Sequence, residues 1–113
     1  MITIYHNPRC AKSREGLQLL ESSGNDFQIV KYLDTPFTFN ELEELITLLG
    51  ITPLALVRKG EAIWKTQFKG RELNDTEIIQ AMVDYPKLIE RPIVVNGKKA
   101  IIGRPPSDIK SIL

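Results

Sequence analysis

Apolar and polar residues alternate along "MITIYH", Met1 to His6, with Ile2 and Ile4 on one side. This two-residue period predicts a short strand, and it stops at Asn7-Pro8. From about Ala11 to Ser23 the spacing becomes helical, with Leu17 and Leu20 on one face and Gly24 as a stop. Gly16 lies inside that helix. An interior glycine costs a helix about 1 kcal/mol relative to alanine, so its presence points to another part of the chain passing close by. "FQIVKYL", Phe27 to Leu33, reads as a second strand closed by Asp34-Thr35-Pro36. Thr38 followed by Glu41 is the signature of a capping box, and Leu42, Leu45, Ile46 and Leu49 then recur at helical spacing up to Gly50.

The middle of the chain, about Thr52 to Tyr85, predicts short helices. "TPLALVRKG" places proline near a first turn and glycine after a last one. "NDTEIIQAMVDYP" offers Asn74 as a cap, Glu77 in the first turn, and an apolar face of Ile78, Ile79, Met82 and Val83. "PIVVNGKKAII" predicts a hairpin, Ile93–Val95 and Lys99–Ile102 flanking Asn96-Gly97. Ser107 is expected to cap a final helix ending at Ile112 and Leu113.

Strands joined through a helix lie parallel, and hairpin strands lie antiparallel. The order strand, helix, strand, helices, hairpin, helix therefore predicts an α/β protein: a four-stranded mixed sheet with helices packed on it. That arrangement is thioredoxin-like, with an extra helical segment inserted before the hairpin. No repeat, linker or low-complexity tract interrupts the 113 residues, so a single domain over 1–113 is expected.

Composition narrows the function. With 42% hydrophobic and 26% charged residues, the chain reads as an ordinary globular protein, neither disordered nor fibrous. No apolar run approaches the roughly 18 residues that span a bilayer, and the first residues lack a basic start and an apolar stretch. A cytoplasmic location without membrane association is expected. The net charge of +1 offers no general attraction to nucleic acid. One cysteine excludes an internal disulfide framework, and one cysteine with one histidine cannot form a four-ligand structural zinc site. No bound metal or cofactor is expected.

That cysteine, Cys10, and that histidine, His6, share the stretch "HNPRCAKSR". A lone thiol can be an inert apolar filler, since free cysteine is among the most buried residue types. Its placement points the other way. Cys10 falls in the turn between the first strand and the first helix, where unpaired helical amides and the helix dipole favour negative charge. Arg9, Lys12 and Arg14 add positive charge, and Ser13 offers a hydroxyl to the sulfur. Helix N-termini and neighbouring cations lower cysteine pKa from about 8.5 to as low as ~3.5–7.5, so a nucleophilic thiolate is expected. His6 either raises the local potential when protonated or tunes the thiol when neutral. The phosphatase loop, in which arginine follows the cysteine after five residues, is absent because Gly16 stands there. The dithiol pattern is absent too, because Cys10-Ala11-Lys12-Ser13 ends in serine. Any disulfide must therefore be made with another molecule.

"ITIYHNPRCAKSR", "LVRKGE", "ERPIVVNG" and "IGRPPS" together resemble the arsenate reductase family of the glutaredoxin-linked, thioredoxin-fold type, from Ile2 to the end of the chain. The resemblance implies that Cys10 attacks arsenate, that Arg58, Arg91 and Arg104 bind the oxyanion, and that His6 and Ser13 flank the nucleophile. It also implies that Pro92 is the cis-proline beside the active site. Glutathione would be the co-substrate and glutaredoxin the protein that resolves the mixed disulfide. The chemistry is consistent with this: arsenate and thiolate repel, and arginine offers fixed charge in a two-pronged donor. Arg91 and Arg104 each precede a proline and bracket the hairpin, whereas Arg9, Lys12 and Arg71 read as surface cations. Two alternatives stay open. One is a regulatory adaptor of the RNA-polymerase-binding type, which Ser13 separates from the dithiol sensors. The other is a reductase of similar mechanism acting on another anion.

Overall fold

The computed structural model describes residues 1–113. Its four-residue strands are β1 (Ile2–Tyr5), β2 (Phe27–Val30), β3 (Ile93–Asn96) and β4 (Lys99–Ile102), in the spatial order β2-β1-β3-β4. β1 and β2 pair in parallel, while β3 runs antiparallel to β1 and to β4. The sheet expected from the element order is thus formed. β2 is shorter than expected, because β1 offers only Ile2–Tyr5 to pair with Phe27–Val30. Beyond Val30 the chain turns, and the Lys31 carbonyl accepts the N–H groups of Asp34 and Thr35.

Contacts divide the chain into two compact units, 1–35 with 91–113, and 36–90. In the first unit, helix α1 (Ala11–Ser22) crosses from β1 to β2. Ile2, Ile4, Leu20, Val94, Ile109 and Ile112 form its core, with Leu17, Leu19, Phe27 and Ile101 packed against it. The stripe of α1 that is buried is Ser13, Gly16 and Leu20; Leu17 is only half-buried. Gly16 is needed there because a Cβ would stand 2.8 Å from Pro92 Cγ and 3.0 Å from Ile109 Cδ1. The close neighbour that this glycine implied is thus the Pro92 ring.

The final helix departs from expectation. Residues Pro106–Ile112 form a 3-10 helix, preceded by Pro105 and without a side-chain cap, so Ser107 lies inside the first turn and does not cap it. The three-residue turn puts Pro106, Ile109 and Ile112 on one buried face. Asn96 Nδ2–H donates to the Ile112 carbonyl at 2.6 Å, fastening the end of the helix to the hairpin.

The second unit is the helical segment expected ahead of the hairpin. It holds α2 (Phe39–Leu49), α3 (Ala62–Gln67) and α4 (Asp75–Asp84), with 3-10 turns at Pro53–Leu56 and Pro86–Leu88. Both capping boxes are closed, Thr38 with Glu41 and Asn74 with Glu77, each satisfying first-turn amides that have no partner within the helix. Gly50 ends α2 at φ 68°, a left-handed position that suits glycine. Nowhere is a helix long and apolar enough to cross a membrane.

Candidate active site

The connection from β1 to α1 is built from short main-chain bonds. His6 N–H donates to the Val30 carbonyl at 2.9 Å, tying the end of β1 to β2. Cys10 N–H donates to the Asn7 carbonyl at 3.0 Å, and Arg14 N–H donates to the Cys10 carbonyl at 3.0 Å, which starts the helix. Cys10 therefore flanks α1 with an extended backbone, φ −98° and ψ 124°. A serine or aspartate in that place would accept the second or third helical amide. Those amides belong to Lys12 and Ser13. The thiol itself makes no cap hydrogen bond, but an ionised sulfur is the acceptor that such amides favour.

Burial pushes the half-buried Cys10 thiol up. The Ser13 N–H, the Arg91 guanidinium acting as donor and as charge, and the Lys12 N–H together outweigh burial, so the thiol titrates below its ordinary value. Amides and an opposite charge favour the anion, whereas desolvation favours the neutral thiol. The environment therefore holds Cys10 toward thiolate.

Arg91 and Arg104 come together because of the hairpin register. Ile93 pairs with Ile102, and Gly103 N–H donates to the Pro92 carbonyl at 2.8 Å. The next residues outward are Arg91 and Arg104, and Arg104 Nη1–H donates to the Arg91 carbonyl at 3.2 Å. Both the Arg91-Pro92 and Arg104-Pro105 bonds are cis; the first was expected and the second was not. Gly103 has no room for a side chain, since a Cβ would stand 2.9 Å from Ile109 Cδ1 and 3.0 Å from Pro92 Cγ.

His6 and Ser13 are both buried, and Nδ1 of His6 lies 2.7 Å from Oγ of Ser13. Burial lowers the His6 pKa, the Lys31 and Arg14 charges lower it further, and a backbone bond at Ser13 offsets part of this. The ring is thus held neutral near pH 7, which favours tuning over a charged role. Ser13 Oγ also accepts the Asn7 N–H at 3.0 Å. The serine hydroxyl is engaged with His6 and Asn7, and it is the Ser13 N–H that acts on the sulfur.

The remaining cations of the stretch are on the surface. Lys12 lies 3.7 Å from Glu15, Arg14 Nη1–H donates to the Pro8 carbonyl at 3.0 Å, and Arg9 is exposed. Arg71 donates to the Gln67 carbonyl and lies over the Phe68 ring. Arg58 belongs to the second unit, where its N–H donates to the Leu88 carbonyl at 2.7 Å and its Nε lies 3.5 Å from Glu61 Oε1. Two residues that shape the site escaped the sequence reading. Gly103 was visible only as the residue before Arg104, and Asn7 as part of an Asn-Pro turn signal.

Comparison with known proteins agrees with this fold. The ArsC family model matches residues 5–112. An uncharacterized protein of Escherichia coli strain K12, YfgD, is 46% identical, covering 99% of this chain and 96% of its own. An arsenate reductase of Neisseria meningitidis serogroup A is 40% identical, covering 99% and 97%. The solved structure of an arsenate reductase from Vibrio cholerae superposes with a TM-score of 0.94 at 45% identity, covering 99% and 97%. With a family model spanning nearly its whole length and relatives this similar, the chain belongs to the ArsC family.

Proposed function

We propose that this protein reduces arsenate to arsenite, with Cys10 as nucleophile. The observation that carries this reading is the placement of Cys10 at the start of α1, where the Ser13 and Lys12 amides and the Arg91 guanidinium favour its thiolate. The likeness to proteins named arsenate reductases supports the choice of oxyanion.

The thiolate attacks arsenic, and a hydroxyl of arsenate takes up a proton from solvent and leaves as water, giving a cysteine–arsenate adduct. The adduct is a negative oxyanion, and Arg91 and Arg104 are proposed to hold it through paired N–H donors. Arg58 joins them on the resemblance of its motif. Glutathione supplies the second thiol. Two sulfurs give up two electrons, arsenic(V) leaves as arsenite, and a Cys10–glutathione disulfide remains. Glutaredoxin then takes the glutathionyl group and frees Cys10. An external route is supported by Cys10 being the only cysteine, since no second thiol in the chain can resolve the disulfide. A thiol that cycles in this way fits a reducing, cytoplasmic location.

The test is arsenate-dependent NADPH oxidation coupled through glutathione, glutaredoxin and glutathione reductase, for the wild type beside Cys10→Ser. Activity lost in the variant is expected. A folded wild type with no turnover, and with Cys10 unreactive to iodoacetamide at pH 6, would overturn the catalytic reading and favour an adaptor. Fast alkylation without turnover would keep the nucleophile and reject arsenate as its substrate.

A further inference from the structure

Asn7 is one of three buried polar residues in the chain, with His6 and Ser13. Its carboxamide Oδ1 accepts the Arg9 N–H at 3.0 Å. Its carbonyl accepts the Cys10 N–H at 3.0 Å, and its own N–H donates to Ser13 Oγ at 3.0 Å. One residue is thereby bonded to the loop before Cys10, to Cys10 itself, and to the first turn of α1.

We propose that Asn7 is a positioning residue for Cys10, whose carboxamide and main chain fix the turn 7–10 so that the sulfur stands over the amides of Lys12 and Ser13. The need for such a residue follows from the way the helix begins. Helix starts are ordinarily held by a side-chain oxygen that accepts a first-turn amide, whereas Cys10 offers only a sulfur, a weak acceptor until it is ionised, and makes no cap bond as the neutral thiol. Part of what fixes the start of α1 must come from elsewhere, and Asn7 reaches it through its Oδ1, which accepts the Arg9 N–H, and its carbonyl, which accepts the Cys10 N–H. An asparagine that accepts an N–H two residues on closes an Asx-turn, which restricts the backbone of Pro8 and Arg9 and so the direction of the Cα–Cβ bond at Cys10. Any residue has a main-chain N–H and carbonyl, but only a short side chain with an acceptor oxygen can add the third bond. Arg91 supplies the nearby charge that acts on the sulfur, so the turn also sets how Cys10 meets that guanidinium. The inference rests on Cys10 being the nucleophile, but not on arsenate being its substrate.

The experiment compares the full-length wild type, Asn7→Ser and Asn7→Ala. The rate of Cys10 alkylation by iodoacetamide is followed by mass spectrometry from pH 4 to 10, beside the thermal midpoint of each protein. Serine can accept the same amide, though more weakly, so the alkylation midpoint is expected to rise in the order wild type, serine, alanine. At pH 6 alanine is expected to slow alkylation about tenfold, which corresponds to about one pH unit in the midpoint. If the alanine variant does not fold, the comparison of wild type with serine decides. A midpoint that stays at the wild-type value while only thermal stability falls would make Asn7 merely structural and overturn the proposal. A wild type unreactive at pH 6 would overturn it together with the reading on which it rests.

Discussion

The Oγ of Ser13 lies 2.7 Å from Nδ1 of His6, with both residues buried. The serine therefore serves the site through two different atoms: its side chain holds the imidazole, while its main-chain N–H favours the Cys10 thiolate. Ser13→Ala separates the two. It removes a hydroxyl that also accepts the Asn7 N–H, leaving buried polar groups without a partner, and should destabilise the fold by about 1–3 kcal/mol. The alkylation midpoint of Cys10 should move little, because the amide remains. Denaturant unfolding and a pH–alkylation profile read the two effects. A large upward shift of the midpoint with unchanged stability would show that the hydroxyl, not the amide, addresses the sulfur.

Arg91 is the cation that acts on Cys10, so Arg91→Ala should move the alkylation midpoint upward and slow the reaction below pH 7. Arg91→Lys should keep part of the shift, because it retains charge but not the planar fork. The sign for stability follows by linkage. The folded thiol titrates below its ordinary value, so the stabilising contribution is complete above that ordinary value and is lost as pH falls through the folded value. A midpoint identical in Arg91→Ala and the wild type would refute the electrostatic account.

His6 should titrate below 6.5, owing first to burial and then to the charges of Lys31 and Arg14. An unfolded chain then binds this proton more readily than the folded one, so stability contributed by the neutral ring is present above about pH 6.5 and declines as pH falls through the folded value. Lys31→Ala should raise the folded value, since it removes a neighbouring positive charge. An NMR titration of the His6 ring protons measures both, and a midpoint above 6.5 in the wild type would contradict the burial argument.

Gly16→Ala sets two effects against each other. Alanine favours a helix by about 1 kcal/mol over glycine, but the added Cβ would fall 2.8 Å from Pro92 Cγ and 3.0 Å from Ile109 Cδ1. Overpacking of this kind costs about 1–3 kcal/mol, so a net loss of stability is expected, with slower alkylation of Cys10 as Pro92 displaces Arg91. A variant more stable than the wild type would mean that the Pro92 loop yields freely. Gly103→Ala should behave alike, its Cβ falling 2.9 Å from the same isoleucine atom.

Much of this molecule is written in local sequence. The Thr38–Glu41 box, the Asn74 cap and the Asn96-Gly97 turn each depend on residues within a few positions of one another. Local chemistry is enough to define them, and the helical or strand period of the apolar residues assigns the segments between them. The same is true of the lone cysteine, whose place at a strand-to-helix turn is legible from the order of residues alone. The end of β2 could not be read in this way, because strand length depends on what the partner strand offers. Nor could the final helix, whose 3-10 winding puts Pro106, Ile109 and Ile112 on one buried face.

The sequence by itself determined the order of elements, hence the mixed sheet, and it determined that one thiol stands at a helix start amid positive charge. Only the tertiary structure decided which groups act on that thiol. Arg9, Lys12 and Arg14 are neighbours in sequence and yet turn to solvent or to other partners. Arg91, far along the chain, is the cation that addresses the sulfur, because β3 pairs with β1 beside the turn that carries Cys10. The division between Ser13 hydroxyl and Ser13 amide likewise required the buried pairing with His6. The physical reason is common to both: charge and hydrogen bonding depend on distance and direction in space, and sequence spacing reports these only within a turn or two of the same element.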